Sequence, residues 1–293
     1  MKIRFFNPYF KVLTFSAFLF TTACKKDAAK TNHDAAAASL SDSSTVADNA
    51  YNDVLVNAMF GYSDRLVFGS SGRLQSGGVA TNATEVNRRA DFSCANYTSS
   101  GDEYPITLTL DFGDGCSESA DSIMRKGKII YVFSGPLLTA GTTVSATFDH
   151  YYVNGYGLVG TCSIKNNSTQ DDGLNFTVQV TNGIFTFPDL TNFHYDGNKT
   201  IKMTAGSTTP WDLSDDVYAI SGNSNFSASD GTSLVSNITT PLVKTFICPT
   251  ISAGVISFDY NQGLKGTIDF GDGTCDRTAS LNVGSITRQI NLR

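Results

Sequence analysis

Residues 106–116 read ITLTLDFGDGC. Ile106, Leu108, Leu110 and Phe112 fall on every second position, with threonine or aspartate between them. A period of two puts the four apolar side chains on one face of an extended chain and the polar ones on the other. The run stops at Asp-Gly, where glycine supplies a positive φ and aspartate tolerates left-handed backbone. A cysteine follows at once. The same text returns as GTIDFGDGTC at 266–275, so the chain uses this unit twice.

Working outward, alternation of the same kind recurs in KIIYVF, VSATFDHYYV, NFTVQV, IFTF, TIKMT, DVYAI, SLVSNI, VISFDY, GTIDF, ASLNV and ITRQINL. Segments with Gly, Asn, Asp or Pro separate most of them. GPLLTAGTTV, VNGYG and VTNGIF read as hairpin turns, the last through Asn-Gly. Many short strands at this spacing, with no interleaved helices, predict an all-β fold: mainly an antiparallel meander sheet, curved or sandwich-like. One helix precedes it. In VADNAYNDVLVNAMFGYSDRLV (46–67), Ala47, Tyr51, Val54, Leu55, Ala58, Met59 and Tyr62 recur at helical steps and form one amphipathic stripe, expected to lie against the sheet. Asp48 and Asp53 suit the helix dipole near its start.

Each repeated unit is preceded by Phe-x-Cys. Cys94 lies 22 positions before Cys116, and Cys248 lies 27 before Cys275. The repeat selects two disulfides, Cys94–Cys116 and Cys248–Cys275, which suits an oxidising compartment. Cys162, in GTCSIKN, is left as an inward buried thiol. The aspartates of the two units, Asp111 and Asp114, Asp269 and Asp272, could approach Ca²⁺. Too few further oxygen donors stand at fixed spacing for an EF-hand-like loop, so the turn reading is preferred. No cofactor is expected.

At the other end of the chain, Lys2 and Arg4 precede an apolar stretch, Val12–Phe20, and then TTAC at 21–24. This is the pattern of a secretory signal, and its ending resembles the lipobox of bacterial lipoproteins, with Cys24 as the lipidated first residue. The expected organisation is a signal peptide over 1–23, the lipidated Cys24 with a flexible low-complexity tether over 24–45, and one β-rich domain with its N-terminal helix over 46–293. TPWDLSDDVYAISG, ITTPLVKTFIC and IDFGDGTCDRTASLNVGSITRQINLR, taken with the lipobox, resemble a family of uncharacterised Bacteroidetes-type lipoproteins. That resemblance implies an envelope protein rich in strands. It implies no activity, and no functional residue is carried over from it.

A net charge of -6 argues against a nucleic-acid partner, which calls for a basic face. Only 16% of residues are charged, and Ser, Thr, Asn and Gly take their place. The three histidines, His33, His150 and His194, lack zinc spacing, and no Gly-x-Ser-x-Gly elbow occurs. The expectation is therefore a non-enzyme: an outer-membrane lipoprotein, lipid-anchored, facing the periplasm or the cell surface, acting as a structural or binding module. Two alternatives stand beside it. One is a glycan- or surface-polymer-binding accessory protein using the aromatics Tyr151, Tyr152, Tyr156, Tyr195 and Trp211. The other is a carrier of an apolar ligand in a curved sheet. The expected partners are the membrane, through the N-terminal lipid, and a glycan or envelope protein.

Overall fold

The computed structural model describes residues 22–68, 94–101, 103–117, 123–169, 173–208, 213–245, 247–248 and 250–292, and in its helix the side chains of 30–59. The alternating runs become strands. Among the described residues these are β1 (Asn96–Ser100), β2 (Ile106–Asp111), β3 (Cys116–Ser117), β4 (Met124–Phe133), β5 (Thr143–Val153), β6 (Tyr156–Asn166), β7 (Asn175–Thr186), β8 (Asn192–Ala205), β9 (Val217–Ala228), β10 (Ser233–Thr245), β11 (Ala253–Tyr260), β12 (Leu264–Asp272), β13 (Thr278–Val283) and β14 (Ile286–Asn291). All belong to one antiparallel sheet. Each strand pairs with its neighbour in sequence from β1 to β14, and β3 is a short spur on β4. The meander is as expected, but its finer form differs from a curved or sandwich-like one. Among the described residues there is no second sheet to pack on, and the single sheet is open and does not curl round to join its own edges.

One face of the sheet is apolar because alternate side chains point the same way. Leu108 and Leu110 of β2, Ile129, Tyr131 and Phe133 of β4, Phe176 of β7, Phe226 of β9 and Leu281 of β13 are all buried in one continuous core. The helix α1 (Thr22–Phe68) covers that face with Ala47, Tyr51, Val54, Leu55 and Ala58, the stripe read from the sequence. The side chain of Tyr62 lies outside the described residues.

The helix is longer than expected. Residues 24–45, anticipated as a flexible tether, are helical throughout. Ala35–Ala38 has the highest helix propensity of any residue type, and low complexity does not by itself prevent packing. Ala37, Ala38, Leu40, Ser41 and Ser44 are buried. The Asp34 carboxylate accepts hydrogen bonds from the Ser285 backbone N–H (2.8 Å) and hydroxyl (2.7 Å), in the turn between β13 and β14. Asp42 forms an ion pair with Arg288, and the His33 ring meets Tyr260 edge-on with centroids 5.1 Å apart.

A second difference concerns VTNGIF. It is not a hairpin turn: β7 runs straight through it. Asn182 takes a left-handed φ of 51°, and the register shifts between Val180 and Gly183. Asn-Gly chemistry serves a bulge here as well as it would serve a turn. VNGYG does turn the chain, at Asn154–Gly155 between β5 and β6.

Candidate functional site

The bulge at Asn182 belongs to a series. Register shifts fall at Lys126/Lys128 in β4, Thr147/Tyr151 in β5, Val159/Thr161 in β6 and Val180/Gly183 in β7. A bulge interrupts the ladder and leaves backbone groups in need of partners. The helix supplies one of them. The Tyr51 hydroxyl donates to the Val159 carbonyl at 2.9 Å, and Gly183 leaves room for it, since a Cβ there would lie 2.9 Å from that hydroxyl oxygen.

Around this line the helix and sheet are fastened by two buried carboxylates. Asp53 accepts from Arg125 of β4 through Nε (2.9 Å) and Nη2 (2.5 Å), from the Tyr151 hydroxyl of β5 (3.0 Å) and from Asn57 Nδ2 (2.7 Å). Arg125 is 1% exposed, and this carboxylate meets its charge inside the protein. One turn earlier, Asp48 pairs with Lys199 Nζ of β8 at 2.7 Å and accepts from the Tyr195 hydroxyl. Burial first, then the nearby aspartate, pushes the Tyr151 and Tyr195 hydroxyls well above their ordinary pKa, so both remain proton donors. The Tyr131 hydroxyl adds a bond to the Val54 carbonyl at 2.8 Å. These groups hold one another. They form a latch across the helix–sheet interface, on the face where a carrier would seat an apolar ligand.

The cysteines stand as the repeat implied. Cys94 and Cys116 are at bonding distance with Cα atoms 5.7 Å apart, and Cys248 and Cys275 likewise at 5.7 Å. Each pair clasps the open end of an antiparallel hairpin, β1–β2 in the first unit and β11–β12 in the second. Cys162 is free and buried on β6, its thiol pushed up to about 12 by burial. Cys24 lies in the first turns of α1, and its side chain is outside the described residues. Asp111 and Asp269 each accept the backbone N–H two residues on, Gly113 and Gly271, both at 2.9 Å. Asp272 holds Thr274 through its hydroxyl at 2.8 Å, and Asp114 lies exposed at the corresponding turn. Among the described residues no group of three or more His, Cys, Asp or Glu side chains is arranged to hold a metal ion.

Among the described residues, the four tyrosines of the expected set do not form an exposed row. Tyr151 and Tyr195 are buried in the latch, Tyr156 stacks on Phe185 with centroids 5.3 Å apart, and only Tyr152 faces solvent. Trp211 lies outside the described residues.

The outer face carries something else. Following the register across the sheet, one row reads Ser100, Thr107, Val132, Ser145, Ser163, Gln179, Asn198, Asn223, Asn237, Ser257, Thr267, Asn282 and Thr287, one residue per strand from β1 to β14 with β3 aside. Every member but Val132 is a hydroxyl or an amide, and none is buried. A neighbouring row reads Thr98, Thr109, Ile130, Thr147, Thr161 and Thr181. Strands repeat every ~4.8 Å, so hydrogen-bonding groups recur at that interval with no net charge along the row. A shallow cavity of about 270 Å³ opens where the first row crosses β7–β10, lined in part by Gln179, Asn198, Asn223, Asn225 and Asn237, with the Asp196 carboxylate also in its wall.

No family model, curated protein or solved structure matches this chain.

The latch and the row went unread in the sequence for different reasons. Asp48 and Asp53 suit the helix dipole in the sequence, but Arg125 and Lys199 lie far along the chain and nothing local pairs them. The row consists of single residues on thirteen strands. Only the depletion of charge, with Ser, Thr and Asn in its place, hinted at it.

Proposed function

We propose that the protein is a non-catalytic binding module of the outer envelope, held by lipid on Cys24, whose outer sheet face docks an uncharged polysaccharide. The observation that carries this reading is the row of hydroxyl and amide side chains, broken only at Val132. Such groups both donate and accept, as sugar hydroxyls do, and a row without charged side chains favours a neutral ligand. The buried charges support it from the other side, because Asp48, Asp53, Arg125 and Lys199 are consumed in fastening the helix. For anchoring, the support is the TTAC motif followed by a charged segment; α1 takes in Cys24, so the lipid would sit on the helix itself rather than on a tether.

Affinity electrophoresis of the mature protein through gels containing neutral or acidic polysaccharides tests the docking. Retardation is expected in at least one neutral gel. The combined change Asn198→Asp, Asn223→Asp and Asn237→Asp should weaken it on the order of a hundredfold, taking about 1 kcal/mol per hydrogen bond lost. Retardation by acidic polymers alone, or none at all, would refute the reading. In cells, Cys24→Ala should abolish labelling by a fatty acid and release the protein from membranes.

A further inference from the structure

The chain places a second depression, of similar size, at the end of the sheet where the first DFGDG turn lies. It is a cavity of about 280 Å³ lined by Asp114, Gly115, Met124, Lys126, Tyr152 and Gly155. That volume sits below the range of about 300–1,000 Å³ for drug-sized ligands, so it suits a single ring.

Its construction starts with the bulge in β5. His150 has a φ of 48°, and Gly127 opposite must be glycine because a Cβ would fall 1.9 Å from the His150 carbonyl oxygen. The extra residue reverses the inside–outside phase of β5. Tyr151 therefore turns in to the latch and Tyr152 turns out, between Lys126 of β4 and Gly157 of β6. A Cβ on Gly157 would lie 3.0 Å from the Tyr152 ring, so the ring leans over bare backbone on one side, and the residue is 37% exposed. Met124, 48% exposed, adds a second apolar contact. Glycines 115 and 155 keep the rim low.

Among the described residues, the polar side chains at this depression are uncommitted. Asp114 and Lys126 make no hydrogen bond or ion pair with any described residue. The twin turn is different, since Asp272 is held by Thr274. The same five-residue text thus frees a carboxylate in one copy and ties it down in the other.

We infer that this depression binds one pyranose ring, the apolar face of the sugar lying on Tyr152 and its hydroxyls bonded to Asp114 and Lys126. An aromatic ring with one free face, flanked by an acceptor and a donor at the rim, matches an amphipathic ring that has C–H groups on its faces and hydroxyls on its edge. The inference rests on the polysaccharide reading above and locates its one aromatic contact.

The test follows the Tyr152 ring and Gly157 amide resonances of the mature protein while methyl glycosides of glucose, galactose and N-acetylglucosamine are added. Saturable shifts at both residues are expected with at least one glycoside in the millimolar range. Tyr152→Ala should weaken binding about tenfold. Asp114→Asn should weaken it less, and Asp272→Asn should leave it unchanged. Absence of shifts with all three sugars, or shifts that survive Tyr152→Ala in a protein whose other resonances are unmoved, would overturn the inference. The two readings part cleanly. Polysaccharide retardation that persists without glycoside shifts sinks the subsite alone, whereas glycoside shifts without retardation sink the extended row.

Discussion

Tyr151 and Tyr152 are adjacent and chemically identical, yet one ends at Asp53 and the other in solvent. Alternation in VSATFDHYYV places Val144, Ala146 and Phe148 inside and, continued unbroken, would send Tyr152 in and Tyr151 out. The bulge at His150 reverses this, and its cause, Gly127, is on another strand, so the local pattern could not reveal it. The buried pair it helps assemble has a measurable consequence. Asp53→Ala leaves Arg125 charged and dry, and a loss of about 3–5 kcal/mol is expected in urea unfolding. The double change Asp53→Leu with Arg125→Met should recover most of that loss, because a well-packed apolar pair avoids the desolvation cost. A single change as mild as a surface substitution would show that the latch carries no weight.

At the scale of elements, the helix stripe over 47–58 was legible because its apolar residues keep a 3.6-residue period. The earlier turns were not, because their buried positions are Ala, Ser and Asp, residue types that also build tethers. What fixes this half is the far end of the chain. Asp34 is held below the usual carboxylate range, first by the Ser285 backbone N–H and then by its hydroxyl. A depressed folded value contributes stability above the unfolded value of about 3.9, and that contribution is lost as pH falls through the lower folded value. Acid should therefore loosen residues 30–45. Pepsin digestion at decreasing pH checks this: early cleavage near Leu40 is expected. Asp34→Asn, which no longer titrates, should remove the pH dependence of that step.

For the whole molecule, the antiparallel meander could be read from period-two runs and the disulfides from the repeated unit, whereas the absence of a second sheet could not, since a strand's pattern reports that one face is covered and not by what. The clasps close loops of 22 and 27 residues, each contributing about 3 kcal/mol in the chain-entropy account. Reduction should lower the urea midpoint markedly, and non-reducing peptide maps should return Cys94 with Cys116 and Cys248 with Cys275; Cys94 joined to Cys275 would contradict the architecture. Asp34 and Ser285 stand 251 positions apart. During synthesis the N-terminal helix must wait for the last hairpin before its seat is complete, and until then a wide oily surface grows strand by strand with little to cover it. Until that hairpin forms the chain is open to association with its own kind, and a slowed nascent chain is where its aggregation should begin.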